Sequence, residues 1–166
     1  MALAQPPREL DAISHIESSL RFPHFTADDA YNIGSQLRRR LLDFDAPAVV
    51  NISLANGNQL LYHACSRSGT TPDNDTWVSR KRKTVLRWGV STWYMHNKLS
   101  GNEAAFAAKY MLSPSAAGEY AIHGGGFPVK VKGVEGVVGV IVVSGLKQEE
   151  DHQVVVEVVG KYLREL

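Results

Sequence analysis

The sequence predicts an α+β fold: a mostly antiparallel five-stranded sheet flanked by helices. Three observations carry this. Tight-turn signals at Asn56-Gly57-Asn58 and Lys132-Gly133 each separate two strand-like runs, and hairpins make antiparallel neighbours. The run Gly136 to Val143 is the most β-branched in the chain and barely alternates, as in a central strand covered on both faces. Segments of helical period lie before, between and after the strands, which is the pattern of a layered α+β domain.

The elements follow in order. Leu10, Ile13, Ile16 and Leu20 mark a first short helix, ended at Phe22-Pro23. Residues 1–25 thus read as an N-terminal helical extension on a single domain spanning 1–166. Thr26 is placed to cap a second helix, with Asp28 and Asp29 at its positive end and Arg38, Arg39 and Arg40 near its negative end. Its apolar face is Ala30, Ile33, Leu37 and Leu41. Val49 to Leu54 and Leu60 to Ala64 form the first hairpin. A loop from Ser66 to Asn74 leads into one long helix, from about Asp75 to Lys98. Gly101 breaks the chain, Asn102-Glu103 opens another short helix, and Pro114 to Gly118 is a turn. Tyr120 to His123, Phe127 to Val131 and Gly136 to Val143 complete the sheet. Glu149, Glu150 and Asp151 crowd the first turn of a last helix, whose apolar side is Val154, Val155, Val158 and Leu163.

Composition narrows the class. The 166 residues are 44% hydrophobic and 21% charged, with net charge +1. Area scaling leaves about 8,000 Å² exposed and roughly 69% of the chain surface buried, a core that needs no disulfide or metal. A disordered chain, a collagen and a disulfide-stapled miniprotein are excluded. Near-neutral charge excludes a dedicated nucleic-acid binder. The only cysteine, Cys65, has no C-x-x-C partner and reads as inert. The start, Met1 to Pro7, has neither a basic n-region nor an apolar h-region, and the longest apolar stretch, Gly136 to Ser144, is far short of the roughly 20 residues of a membrane span. A cytoplasmic protein without membrane contact is expected.

Several residues stand out chemically. On the long helix, Trp77, Val78, Val85 and Trp88 fall on one arc, and Lys81 and Arg82 project into it. A lysine there either snorkels past the core edge or points at something that needs a cation. His123 precedes Gly124-Gly125-Gly126, whose bare backbone suits an anion or a flat ligand as well as a strand bend. Gly133, Gly136 and Gly139 enter a strand instead of opening a helix, so a dinucleotide motif fails its context. Ser144-Gly145 ends a strand just before a helix N-terminus, a place that can hold an anion. His152 follows Asp151 and is either a surface group or a proton carrier. The six histidines have no zinc-site spacing, so no metal centre is expected. Trp93-Tyr94-Met95 reads as core or subunit interface. No nucleophile–base pair is visible, so no catalytic residue is assigned.

The stretch His123-Gly-Gly-Gly-Phe-Pro-Val, the glycines 133, 136 and 139, Val143-Ser-Gly145 and Asp151-His152 resemble the haem-degrading-domain family (GlcG/HbpS-like). Lys81, Thr84 and Trp88 match its middle-helix spacing. The run from Trp77 to Val85 and the terminal Gln148-x-x-Asp151-His152 look most like a cytosolic branch. The resemblance covers about residues 30 to 165. It implies a profilin-like fold, a homo-oligomer of dimers assembled into larger rings, and a small-ligand-binding protein whose ligand is haem or another planar or anionic molecule. The expected ligand-binding residues are Lys81, Thr84, His123, Gly124, Gly125, Gly126, Ser144, Gly145, Asp151 and His152. Lys81 supplies charge for a carboxylate, glycine N–H groups hold a second oxygen, and His123 or His152 is the axial ligand or proton carrier. The other expectation is a non-enzymatic homo-oligomeric adaptor, with the glycine turn and the Trp93 cluster packing subunits and the surface recruiting protein partners.

Overall fold

The structure, a computed structural model, describes residues 2–166; Met1, the first residue of the expected extension, lies outside them. The elements are α1 (Leu10–Ser19), α2 (Ala27–Leu41), β1 (Val49–Leu54), β2 (Leu60–Cys65), α3 (Pro72–Trp88), α4 (Thr92–Lys98), α5 (Glu103–Lys109), α6 (Pro114–Ala117), β3 (Gly126–Val129), β4 (Gly139–Ser144) and α7 (Gln148–Glu165). The sheet runs β2-β1-β4-β3 and every neighbouring pair is antiparallel. One face, with Val50, Ile52, Ile141 and Val143, packs on α2 and α7 through Ile33, Leu37, Val155 and Val159. The other, with Val49, Val140 and Val142, packs on Val78 and Val85 of α3.

Most local signals produce the expected element. Thr26 Oγ1 accepts the Asp29 N–H at 3.3 Å while Asp29 Oδ2 accepts the Thr26 N–H at 2.8 Å, a reciprocal cap on α2. The β1–β2 turn uses Gly57 and Asn58 at φ 67° and 51°. β4 is buried along its whole length, as its β-branched composition requires, although it starts at Gly139, three residues later than Gly136.

Three expectations are corrected. The sheet has four strands, because the segment Tyr120 to His123 is not one. Its backbone pairs with side chains instead of a ladder. Thr84 Oγ1 donates to the Ala121 carbonyl at 2.8 Å and accepts its N–H at 3.0 Å. Arg80 Nε donates to the Tyr120 carbonyl and His96 Nδ1 to that of Ile122, at 3.1 and 3.0 Å. The long helix is two helices. Gly89 adopts φ 69° and closes α3, its N–H reaching the Val85 carbonyl at 2.8 Å, and the Ser91 hydroxyl caps α4. The Pro114 to Gly118 turn contains the short helix α6, with Pro at its first position. The N-terminal segment packs on the rest of the domain. Phe22 is fully buried and bridges Val131, exchanging backbone bonds of 2.9 Å with Lys130 and Lys132. Trp93 and Met95 prove to be core, 0% and 1% exposed.

Candidate functional site

Lys81 sits midway along α3 with its side chain turned to the sheet, and only 3% of the residue is exposed. It does not snorkel. Its Nζ donates to the Val143 carbonyl at 3.2 Å and to Asp151 Oδ2 at 3.3 Å. Asp151 lies in the first turn of α7, 2% exposed. Its carboxylate also accepts two backbone N–H groups, Gly145 at 3.2 Å and Leu146 at 2.9 Å. The acid is thereby fixed as the end of the β4–α7 turn, and Lys81 is added to it from the opposite layer.

Burial pushes the Lys81 ammonium below its ordinary range, opposed by attraction to Asp151. Burial likewise pushes Asp151 up to about 6, against the pull of Lys81 and of the two backbone N–H groups. Both shifts run toward the neutral pair, because each charge has left water for a low-dielectric layer. Burial thus favours the uncharged form of each group, and their mutual attraction the charged form.

The glycine turn completes the wall. Gly125, at φ 130°, extends the β4 ladder, its carbonyl accepting the Val143 N–H at 3.0 Å. A Cβ there would run into the Val143 carbonyl oxygen and lie 2.8 Å from Lys81 Nζ. Only glycine leaves the space the ammonium occupies. Gly125→Ala is expected to cost about 3 kcal/mol in urea unfolding, from positive φ and overpacking together. A loss below about 0.5 kcal/mol, the range of an ordinary surface change, contradicts this packing.

In front of the ion pair lies a cleft of about 320 Å³, lined by Lys81, Asp151, His123, Ser144 and Gly145 among the expected residues. Asp73, Asn74 and Trp77 from α3, and Leu146 and Gln148 from the start of α7, line it as well. The first turns of two helices of 17 and 18 residues therefore border one cleft, each bringing the positive end of its dipole. Gln148 Oε1 accepts the Gly124 N–H at 3.1 Å, which orients its amide nitrogen away from the turn. Asn74 Oδ1 accepts the Thr71 N–H at 2.9 Å, and its Nδ2 makes only a 3.4 Å contact to the Ser144 carbonyl. His123 meets the Trp77 ring edge-on at 5.0 Å. Its Nδ1 is shut from solvent without a hydrogen bond, 3.8 Å from Glu103 Oε1. Burial lowers its pKa, with Glu103 opposing, so the ring is neutral near pH 7.

The remaining expected residues lie behind this wall. Thr84 staples α3 to Ala121. Gly124 and Gly126 are buried, their N–H groups donated to Gln148 and to Thr92 Oγ1. His152, 3% exposed, faces away and stacks on Trp93 at 5.8 Å, with Trp93 stacked in turn on His96 at 5.4 Å. Asp73 and Asn74 read as loop in the sequence; they lie instead in the first turn of α3, which begins at Pro72, and the packing of α3 on β4 carries that turn to the cleft.

Comparisons with known proteins agree with this architecture. The family described as haem degrading protein HbpS-like matches residues 25–160. A UPF0303 protein of Streptomyces avermitilis is 41% identical over 98% of this chain and 96% of its own length. The crystal structure of Ybr137w protein superimposes with a TM-score of 0.86 at 31% identity, covering 95% of this chain and 88% of that one. A PduOC:Heme complex has the same fold, with a TM-score of 0.63 at 20% identity over 86% of this chain and 94% of that one. A family match across the whole sheet and site, joined to relatives alike over nearly their full length, places this chain in the family of HbpS-like haem-degrading proteins.

Proposed function

We propose that the protein binds a small carboxylate-bearing ligand in this cleft, with Lys81 as its anchor. One observation carries the reading. An ammonium has three donors, and Lys81 Nζ has two acceptors, the Val143 carbonyl and Asp151. Its third N–H has none among the described residues, although the side chain is buried and lines the cleft. A buried charged donor left unpaired costs more than an ordinary hydrogen bond returns, so a carboxylate oxygen is the favoured occupant. The converging starts of α3 and α7 act in the same sense.

Haem-related ligand binding is supported at the level of the family. A whole haem does not match the cleft of this chain. About 320 Å³ is near the lower limit of small-ligand pockets, roughly 300 Å³, and too little to enclose a tetrapyrrole. Of the two histidines considered as axial ligands, His152 is stacked behind Trp93, and His123 has its Nδ1 sealed off, which leaves only Nε2 for a ligand. The reading therefore favours a small acid.

Isothermal titration with propionate is expected to give saturable binding, weakened at least about tenfold in Lys81→Met. Equal affinity in the two proteins contradicts the assignment. A saturable Soret shift on adding haem, lost in His123→Ala, contradicts the exclusion of the macrocycle. Self-association belongs to the same reading, supported by the unpaired edge of β2, where Leu60 is 57% exposed. Sedimentation velocity is expected to give a multiple of 18.2 kDa, and a monomer at micromolar concentration contradicts it.

A further inference from the structure

We propose that Lys81 is a Schiff-base lysine, condensing with the carbonyl carbon of a small α-oxo acid held in the cleft. This rests on the reading of the cleft as a carboxylate site and names the class of acid. The argument starts from the four tetrahedral directions at Nζ. One is the bond to Cε, and two point to the Val143 carbonyl and to Asp151 Oδ2. When Lys81 is charged, the fourth direction carries the spare N–H. When the proton directed at Asp151 passes to that carboxylate, the lone pair is left facing Asp151, and a turn about the Cε–Nζ bond brings it to the fourth direction. The side chain thus presents a donor or, after that turn, a nucleophile at one place.

The neighbours favour the nucleophile. Asp151 stands 3.3 Å away, buried, and locked by the Gly145 and Leu146 N–H groups, so it is a fixed proton acceptor. Burial moves the two affinities toward each other, which lowers the cost of passing the proton from Lys81 to Asp151. The other titratable groups lining the cleft are His123, neutral through burial, and Asp73 at the mouth. Once the amine is committed to carbon, the carboxylate of the guest needs other donors. Gln148 has an amide nitrogen with no acceptor among the described residues, and Asn74 Nδ2 has only its 3.4 Å contact. An α-oxo acid carries both required groups on adjacent carbons.

The step balances without an oxidant or a cofactor. Asp151 takes one proton from the Lys81 ammonium. The nitrogen lone pair forms a bond to the carbonyl carbon as the C=O π pair moves to oxygen. The second ammonium proton, now on the adduct nitrogen, passes to that oxygen and gives a carbinolamine. Asp151 returns its proton to the hydroxyl, which leaves as water while the nitrogen lone pair closes the imine. The net change is one carbonyl and one ammonium giving one protonated imine and one water.

The full-length protein is incubated with pyruvate and cyanoborohydride near neutral pH, and the reduced adduct is located by peptide mass spectrometry. The expected result is a single adduct on Lys81, forming at least about tenfold faster than on any exposed lysine, because burial lowers the pKa of its ammonium. It is absent from Lys81→Arg and is slowed by excess propionate. No adduct, or adducts spread over Lys83, Lys98 and Lys109 in preference to Lys81, overturns the inference. Propionate binding to wild type is followed in parallel, since propionate has no carbonyl to attack. Binding without an adduct retires the covalent step alone; loss of both retires the carboxylate site as well. Butanal replaces pyruvate in a third arm. Labelling by butanal as fast as by pyruvate contradicts the α-oxo acid class.

Discussion

Replacing His152 with Leu is expected to flatten the acid limb of the stability curve. His152 is 3% exposed between Trp93 and Phe127, and its Nδ1 has no hydrogen-bond partner. Burial alone pushes its pKa from the usual 6.5 down to about 3. Between these values the unfolded chain binds a proton that the folded chain refuses. Stability is therefore complete above pH 6.5 and is lost as the pH falls toward 3. The slope is about 1.4 kcal/mol per pH unit, and the full loss is about 5 kcal/mol if the fold survives to the end of the window. Leu titrates nowhere and leaves no orphan nitrogen, so near neutral pH the variant should lie within about 1 kcal/mol of wild type. Urea unfolding of both proteins between about pH 7 and 4 isolates this residue, because every other titrating group cancels in the difference. Parallel curves contradict the buried neutral imidazole.

The second large effect concerns the ion pair. Lys81→Met removes the cation and leaves Asp151 buried with only two backbone N–H groups. Losing one partner of a buried pair costs about 3–5 kcal/mol. Lys81→Met combined with Asp151→Asn removes both charges, while the new amide oxygen still accepts one of the two N–H groups of the β4–α7 turn. The double variant is expected to be more stable than Lys81→Met alone, within about 2 kcal/mol of wild type. Losses that simply add, to within about 0.5 kcal/mol, contradict the coupling. Acidification is a further check. Without Lys81 the pull that holds Asp151 down is gone, so its affinity for a proton rises above the wild-type value of about 6. A raised folded pKa means that the native state binds the proton more tightly than the unfolded chain. Lys81→Met should therefore recover stability, relative to wild type, as the pH falls toward 6, and run parallel to wild type below it.

The sequence displays Lys81 more clearly than it displays the partner of Lys81. A cation on an apolar arc breaks a periodicity, and a broken period is visible in one dimension. That the break ends on Asp151, 70 residues later, is a consequence of packing α3 and α7 on the two faces of β4, which no local pattern encodes. Asp151 itself reads as a first-turn acid and is one. Its bonds to Gly145 and Leu146 follow from that position, whereas its contact with the ammonium does not. The fold shows the same division. The cap at Thr26, the turn at Gly57 and the β-branched run of β4 are local signals with local causes. The segment Tyr120 to His123 has strand-like residues, yet the side chains of Thr84, Arg80 and His96 claim its backbone, and those come from two other helices. Gly89 is intermediate. A glycine inside a helical period either weakens or ends the helix, and the polar cap at Ser91 decides for ending it.

The account depends on the fourth position at Lys81 Nζ being open to a guest. Side-chain ammonium NMR on nitrogen-labelled lysine addresses that atom directly. On titrating the protein with propionate, the Lys81 resonance should shift and saturate together with the side-chain amide of Gln148, and the other lysines should stay in place. A Lys81 resonance that is unmoved while the exposed lysines drift with ionic strength would leave the cleft without its anchor.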